Sequence, residues 1–152
     1  MRLLDTMIFV YYQRAGLLGS LLLLSALGIT TPVRRELRRW PEVSEQVEGG
    51  LLSRAITLLD MDPADEAQRT LYVLFRDGDG LGDGEAASMT VARTQNHSFV
   101  SHDMRARSRA ANAGIKVLDW PDLLSELRVS GIINDAQRRA AERTISGLMR
   151  GR

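Results

Sequence analysis

The chain contains no cysteine. That absence excludes a disulfide framework, an iron–sulfur cluster, a thiolate zinc site and a cysteine nucleophile. Histidine is scarce: His97 and His102 are the only two in 152 residues, and their scarcity and spacing argue against a histidine-based zinc site. Aromatic residues make up 5% of the chain, and of its 20 basic residues only Lys116 is lysine. A membrane-length apolar run is also missing. Residues 15–33 carry no charge, but the dense part is only Leu17 to Leu27. It meets Gly28 and then Thr30-Thr31-Pro32, whereas a span needs about 20 apolar residues. A cleaved signal would place its apolar run close behind a basic start, and here Asp5 and Arg14 intervene. The expectation is a buried helix over 17–27, no membrane contact, no cleaved leader and a cytoplasmic protein.

What the chain does have is oxygen ligands. Asp and Glu number 19, enough to hold a hard cation without help from sulfur or nitrogen. They are unevenly spread. Residues 41–85 hold eleven acids and three Arg, a charge of −8. Residues 103–152 hold nine Arg and one Lys against six acids, a charge of +4. The hydrophobic share of 44% is that of a chain able to bury a real core in a single domain.

Periodicity alternates along the chain. Arg2 to Asp5 reads as a buried strand and Ile8 to Tyr12 as a helix. Gly28 to Thr31 reads as a strand, after which Pro32 opens a helix that carries Glu36. Pro41 to Leu52 is helical and Ala55 to Leu59 a strand. Asp62 and Pro63 read as the cap and first position of the next helix. A Gly/Asp loop from Arg76 to Gly84 leads into a helix from Glu85 to Thr94. Ser98 to Ser101 is a strand, Asp103 to Ala113 a helix stopped by Gly114, and Lys116 to Leu118 a strand. Trp120 to Val129 and Asn134 to Met149 close the chain as helices, the last with Ala136, Ala140, Ala141, Ile145 and Leu148 on one face. Alternation of this kind predicts an α/β protein, a three-layer α/β/α sandwich with a central parallel sheet of about five strands. Ligands of such sheets sit beyond the carboxyl ends of the strands.

Four carboxylates fall at that rim. Asp5 ends the first strand, Asp103 follows the strand 98–101, Glu85 opens a helix, and Glu36 lies one turn into another. Any one acid in a first helical turn is explained by the dipole alone. Four together repel unless a cation neutralises them, and Mg²⁺ or Mn²⁺ suits an all-oxygen site. A calcium loop at Asp77-Gly78-Asp79-Gly80 fails, because Leu81 and Ser88 stand at its fifth and twelfth positions. A phosphatase with an Asp nucleophile and a second Asp two residues on fails as well, because that position is Met7.

The motifs resemble those of PIN domains. Leu4-Asp5-Thr6 before an apolar helix is similar to their opening. Thr31-Pro32-Val33-Arg34-Arg35-Glu36-Leu37 is similar to their second motif, Leu81-Gly82-Asp83-Gly84-Glu85-Ala86 to their third, and Ser101-His102-Asp103-Met104-Arg105-Ala106-Arg107 to their fourth. The resemblance covers about residues 2–133, giving a PIN-like domain over 1–133 and a C-terminal amphipathic helix, 134–152, packed on it. It implies a metal-dependent nuclease, usually a ribonuclease acting on RNA rather than DNA. Many relatives are toxins of toxin–antitoxin pairs with a protein antitoxin, and they commonly form homodimers. Asp5, Glu36, Glu85 and Asp103 would then be the catalytic acids and hold Mg²⁺ or Mn²⁺. Thr6 and Ser101 would be hydroxyl neighbours that orient water or a carboxylate, and Arg107 and Arg105 would contact phosphate. Two departures stand out. His102 replaces the first Asp of an Asp-Asp pair, and Leu118-Asp119-Trp120-Pro121 stands where a Gly-Thr turn is usual. The alternative is a catalytically idle PIN-like module that binds or regulates a protein partner.

Overall fold

Leu3 and Leu4 are both fully buried, and a strand points them to opposite faces. Everything else in the architecture follows from covering both. The structure is a computed structural model and describes residues 1–150. Its five strands are β1 (Arg2–Leu4), β2 (Leu27–Ile29), β3 (Ile56–Leu58), β4 (Ser98–Val100) and β5 (Val117–Leu118). They form one sheet in the order β3-β2-β1-β4-β5. Every neighbouring pair is parallel, with Leu3 opposite Gly28 on one side and Phe99 on the other. This is the three-layer α/β/α sandwich expected of the alternating pattern.

Nine helices supply the outer layers among the described residues: α1 (Thr6–Arg14), α2 (Leu18–Leu21), α3 (Thr31–Glu36), α4 (Pro41–Leu52), α5 (Glu66–Val73), α6 (Asp83–Gln95), α7 (Met104–Asn112), α8 (Trp120–Val129) and α9 (Asp135–Arg150). Leu4 and Val100 pack into one core with α1, α4, α8 and α9, through Ile8, Phe9, Val43, Val47, Leu123, Leu127 and Ile145. Leu3 and Phe99 pack into the other with α6 and α7, through Ala86, Met89, Ala106 and Ala110. The small residues on α6 and α7 let those helices lie close to the strands. Gly28 serves the same closeness within the sheet, since a Cβ there would come within 3.0 Å of a Leu59 methyl.

Several local expectations are corrected. The apolar run 17–27 is not one helix. Only Leu18–Leu21 is helical, the chain then turns through Ala26 at φ 57°, and Leu27 belongs to β2. The run is apolar because it supplies buried residues from three kinds of structure in turn, the short helix, the turn that follows it and the first residue of a sheet strand. No helix among the described residues is long and apolar enough to cross a membrane. The helix expected from Asp62 starts later: Asp65 caps α5 by accepting from Gln68 N, while Asp62 closes a turn with Ala64 N. On α9, Ala141 and Ile145 are buried but Ala136 and Ala140 are exposed: the start of the helix is tied to α8 by the Arg128–Asp135 ion pair at its surface, and the apolar packing begins at Ala141. The last two residues of the expected C-terminal segment lie outside the described ones.

One buried polar contact ties the layer on the α1 side together. The Tyr12 hydroxyl donates to the Trp120 carbonyl at 2.8 Å, joining α1 to the start of α8. Tyr12→Phe removes the donor and leaves that carbonyl buried, so it is expected to cost about 1–2 kcal/mol. A urea midpoint that falls with unchanged slope checks this.

Candidate active site

The sheet order reverses at β1. From there the chain builds β2 and β3 to one side and then crosses to β4 and β5 on the other. A crevice opens at such a switch point, beyond the carboxyl ends of the two strands that flank it. Asp5 leaves β1 and Ser101-His102-Asp103 leave β4 at this place, held together by the bond from Asp5 N to the Val100 carbonyl at 2.9 Å.

Asp5 is 9% exposed. One of its oxygens, Oδ1, accepts from Thr6 N at 2.8 Å and so caps α1; Oδ2 accepts from the Ser101 hydroxyl at 3.0 Å. The same hydroxyl oxygen accepts from Asp103 N at 3.1 Å. Asp103 is exposed and caps α7 through Ala106 N. Ser101 therefore links two of the acids directly. Glu36 ends α3, where Pro32 has set the start of the helix. Its Oε2 accepts from the Thr6 hydroxyl at 2.6 Å and its Oε1 from Gly84 N at 3.3 Å. Gly84 has to be glycine for this contact: a Cβ would stand 2.7 Å from Glu36 Oε1. Glu85, next in the first turn of α6, is half-buried, and its Oε2 is shielded from solvent without a hydrogen-bond partner.

The four acids share one electrostatic field. Burial pushes the Asp5 carboxyl up to about 6, with the charges of Glu36 and Asp103 adding to it against the pull of its Thr6 and Ser101 hydrogen bonds. Glu85 is pushed up to about 7, first by burial and then by Asp5, Asp103 and Glu36. Their donor chemistry, all carboxylate oxygen with one oxygen unsatisfied, fits a hard divalent ion. Their spacing is looser than a cage: no three Asp, Glu or His side chains among the described residues are grouped so as to hold a metal ion where they stand. Each acid other than Glu85 is instead held by protein hydroxyls and N–H groups.

The arginines are engaged elsewhere. Arg105 donates to the Asp79 carbonyl in the Gly/Asp loop, and Arg109 Nε lies 3.8 Å from the Asp79 carboxylate. Arg107 Nη1 lies 3.5 Å from Asp119 Oδ2, and its Nε is buried without a partner. Neither Arg105 nor Arg107 bonds any of the four acids. Asp119 is a rim residue that the sequence marks only as a departure from the resembled motif, not as a member of the site. It follows an apolar strand and precedes a helix, the same signal that singled out Asp5. Thr30, buried at the end of β2 with an unpartnered hydroxyl, is a second rim residue outside the expected site.

The raised acids destabilise the cation-free fold in a defined pH window. For both groups the folded state binds its proton more tightly than the unfolded chain, so stability falls as pH rises from about 4 to about 7 and the full cost applies above that. Asp5→Asn, which keeps an acceptor for the α1 cap, and Glu85→Gln are each expected to raise stability by about 2 kcal/mol at pH 8 in EDTA and by much less at pH 4. Thermal melts at the two pH values check this; an equal gain at both would remove the charge as its cause.

A family model described as PIN domain matches residues 1–147. Among solved structures, the chain is similar to a PilT N-terminus domain protein from the hyperthermophilic archaeon Sulfolobus solfataricus P2. The two are 15% identical, with 84% of this chain and 94% of that one covered and a TM-score of 0.48. No curated protein matches the chain. The family match spans all five strands and the whole acid rim, and the chain belongs to the PIN-domain family, whose members are generally nucleases.

Proposed function

We propose that the protein is a divalent-cation-dependent ribonuclease that hydrolyses phosphodiester bonds at the crevice between β1 and β4. The observation that carries this reading is the pair Asp5 and Glu85. These are shielded carboxyls whose ionisation the fold itself opposes, and one keeps an oxygen that no protein group satisfies. Such an arrangement is costly unless positive charge is brought to it. PIN domains typically use divalent metals, and Asp5, Glu36, Glu85 and Asp103 would hold Mg²⁺ or Mn²⁺ here. A bound ion would supply Lewis-acid activation of water and positive charge for the phosphoryl transition state.

The chain's own groups do the positioning. Ser101 fixes one oxygen of Asp5, Thr6 fixes one of Glu36, and Gly84 lets α6 approach near enough to present Glu85. Arg105 and Arg107 would exchange Asp79 and Asp119 for backbone phosphates of the substrate. A toxin role with a protein antitoxin, a homodimer and a cytoplasmic location accompany this reading through the family resemblance.

A second reading is an idle binding module acting through a protein partner. The absence of a ready three-acid group among the described residues favours it. The two separate on metal binding. For a nuclease, Mn²⁺ raises the melting temperature, and Asp5→Asn loses that rise along with cleavage of a single-stranded RNA pool, on the order of 100-fold. Gly84→Ala, which pushes Glu36 aside, lowers cleavage about tenfold. No rise with Mn²⁺ and no cleavage leaves the idle module; equal cleavage by wild type and Asp5→Asn removes Asp5 from the site.

A further inference from the structure

His102 lies between Ser101 and Asp103, within the loop that carries the acids, yet it bonds none of them. Its Nδ1 stands 3.3 Å from Oδ2 and 3.4 Å from Oδ1 of Asp119. A carboxylate can only accept, so this contact places the ring hydrogen on Nδ1. Asp119 is itself fixed. Its Oδ1 accepts from Trp120 N at 2.6 Å, its side chain and that of Asp122 each accept from the other's backbone N–H in a capping box, the Asp119 side chain is 16% exposed, and Arg107 approaches Oδ2. On another side the Tyr11 ring meets the imidazole edge-on, with centroids 5.8 Å apart at 81°. The imidazole is thus oriented from two directions while its side chain keeps 36% of its surface open. Its second nitrogen, Nε2, has no hydrogen-bond partner among the described residues.

His102 and Asp119 are also the two places where the sequence departs from the resembled motifs, and the departures face each other across the rim. In a neutral ring with the hydrogen on Nδ1, Nε2 is purely an acceptor. A phosphodiester offers it only more acceptors. The O–H donor that a nucleotide carries beside its 3′ phosphate is the ribose 2′-hydroxyl, which RNA has and DNA lacks. We propose that His102, held in its Nδ1–H tautomer by Asp119, accepts a hydrogen bond from a ribose 2′-hydroxyl and makes the site select RNA over DNA. Asp119 acts through His102 and is a positioning residue. The inference rests on the nuclease reading for the class of polymer.

The test compares wild type, His102→Phe and Asp119→Ser. Phe keeps a ring against Tyr11, and Ser keeps an N-cap for α8 while being too short to reach the imidazole. Fluorescence anisotropy with single-stranded RNA and DNA of one sequence, in EDTA, reads binding without cleavage; Mn²⁺ is then added to read cleavage. Wild type is expected to favour RNA about tenfold, the worth of one partly exposed hydrogen bond. His102→Phe erases that ratio and Asp119→Ser reduces it. Long-range ¹H–¹⁵N spectra at alkaline pH are expected to show Nε2 unprotonated in wild type and protonated in Asp119→Ser. Equal binding of both polymers by wild type, binding of neither, a ratio that survives His102→Phe, or a proton on Nε2 overturns the proposal. Cleavage without RNA preference would leave the nuclease reading and remove this one. RNA preference lost in His102→Phe, without any cleavage, would do the reverse.

Discussion

The fold is organised around a carboxylate that is expensive to bury. Asp5 stands at the end of the central strand, walled by β2 on one side and β4 on the other. Its negative charge is opposed by burial and by three acids that share its field. Everything that touches it works to hold it in place. The Thr6 amide and the Ser101 hydroxyl take its two oxygens, and the same hydroxyl anchors the backbone of Asp103. An uncharged acceptor at this position would keep those bonds without the cost of the buried charge. That a strained acid stands there instead is the usual mark of a site where function sets the residue.

Much of this was legible in the sequence because its signals are local. An acid that directly ends an apolar strand, a Pro-headed helix carrying Glu36, and a Gly-rich entry to Glu85 can each be recognised within a few residues. Parallel strands separated by helices follow from alternation, and the rim of a doubly wound sheet follows from parallel strands. The contacts between those segments were not legible. Nothing near Gly84 says that Glu36 stands over it, since the two are 48 positions apart. Asp119 carried the same local mark as Asp5, but its neighbours His102 and Arg107 come from the other side of β5's strand pairing. The run 17–27 misled because composition does not say where a helix turn ends and a strand begins.

The basic segment also changed meaning. Its arginines looked like a free surface for phosphate, but three of them on α7 are spent on Asp79 and Asp119. Arg105 and Arg109 meet Asp79 of the acidic loop, and Arg107 meets Asp119 at the start of α8. Positive charge there is held in reserve by partners of the same kind that a nucleic-acid backbone would offer.

The hydrogen bond between Ser101 and Asp5 spans 96 residues. Its length along the chain sets an order of events in folding. Of the five strands the central one is made before the others, and it has no partner on its β4 side until residues 98–100 exist. Closing so long a loop is entropically slow, and such pairings are late steps in folding. Until then Asp5 lacks the Ser101 hydroxyl and the β4 side of its surroundings. The crevice comes into being only when both halves of the sheet meet, so a partly made chain holds the first acid without the environment that gives it chemistry.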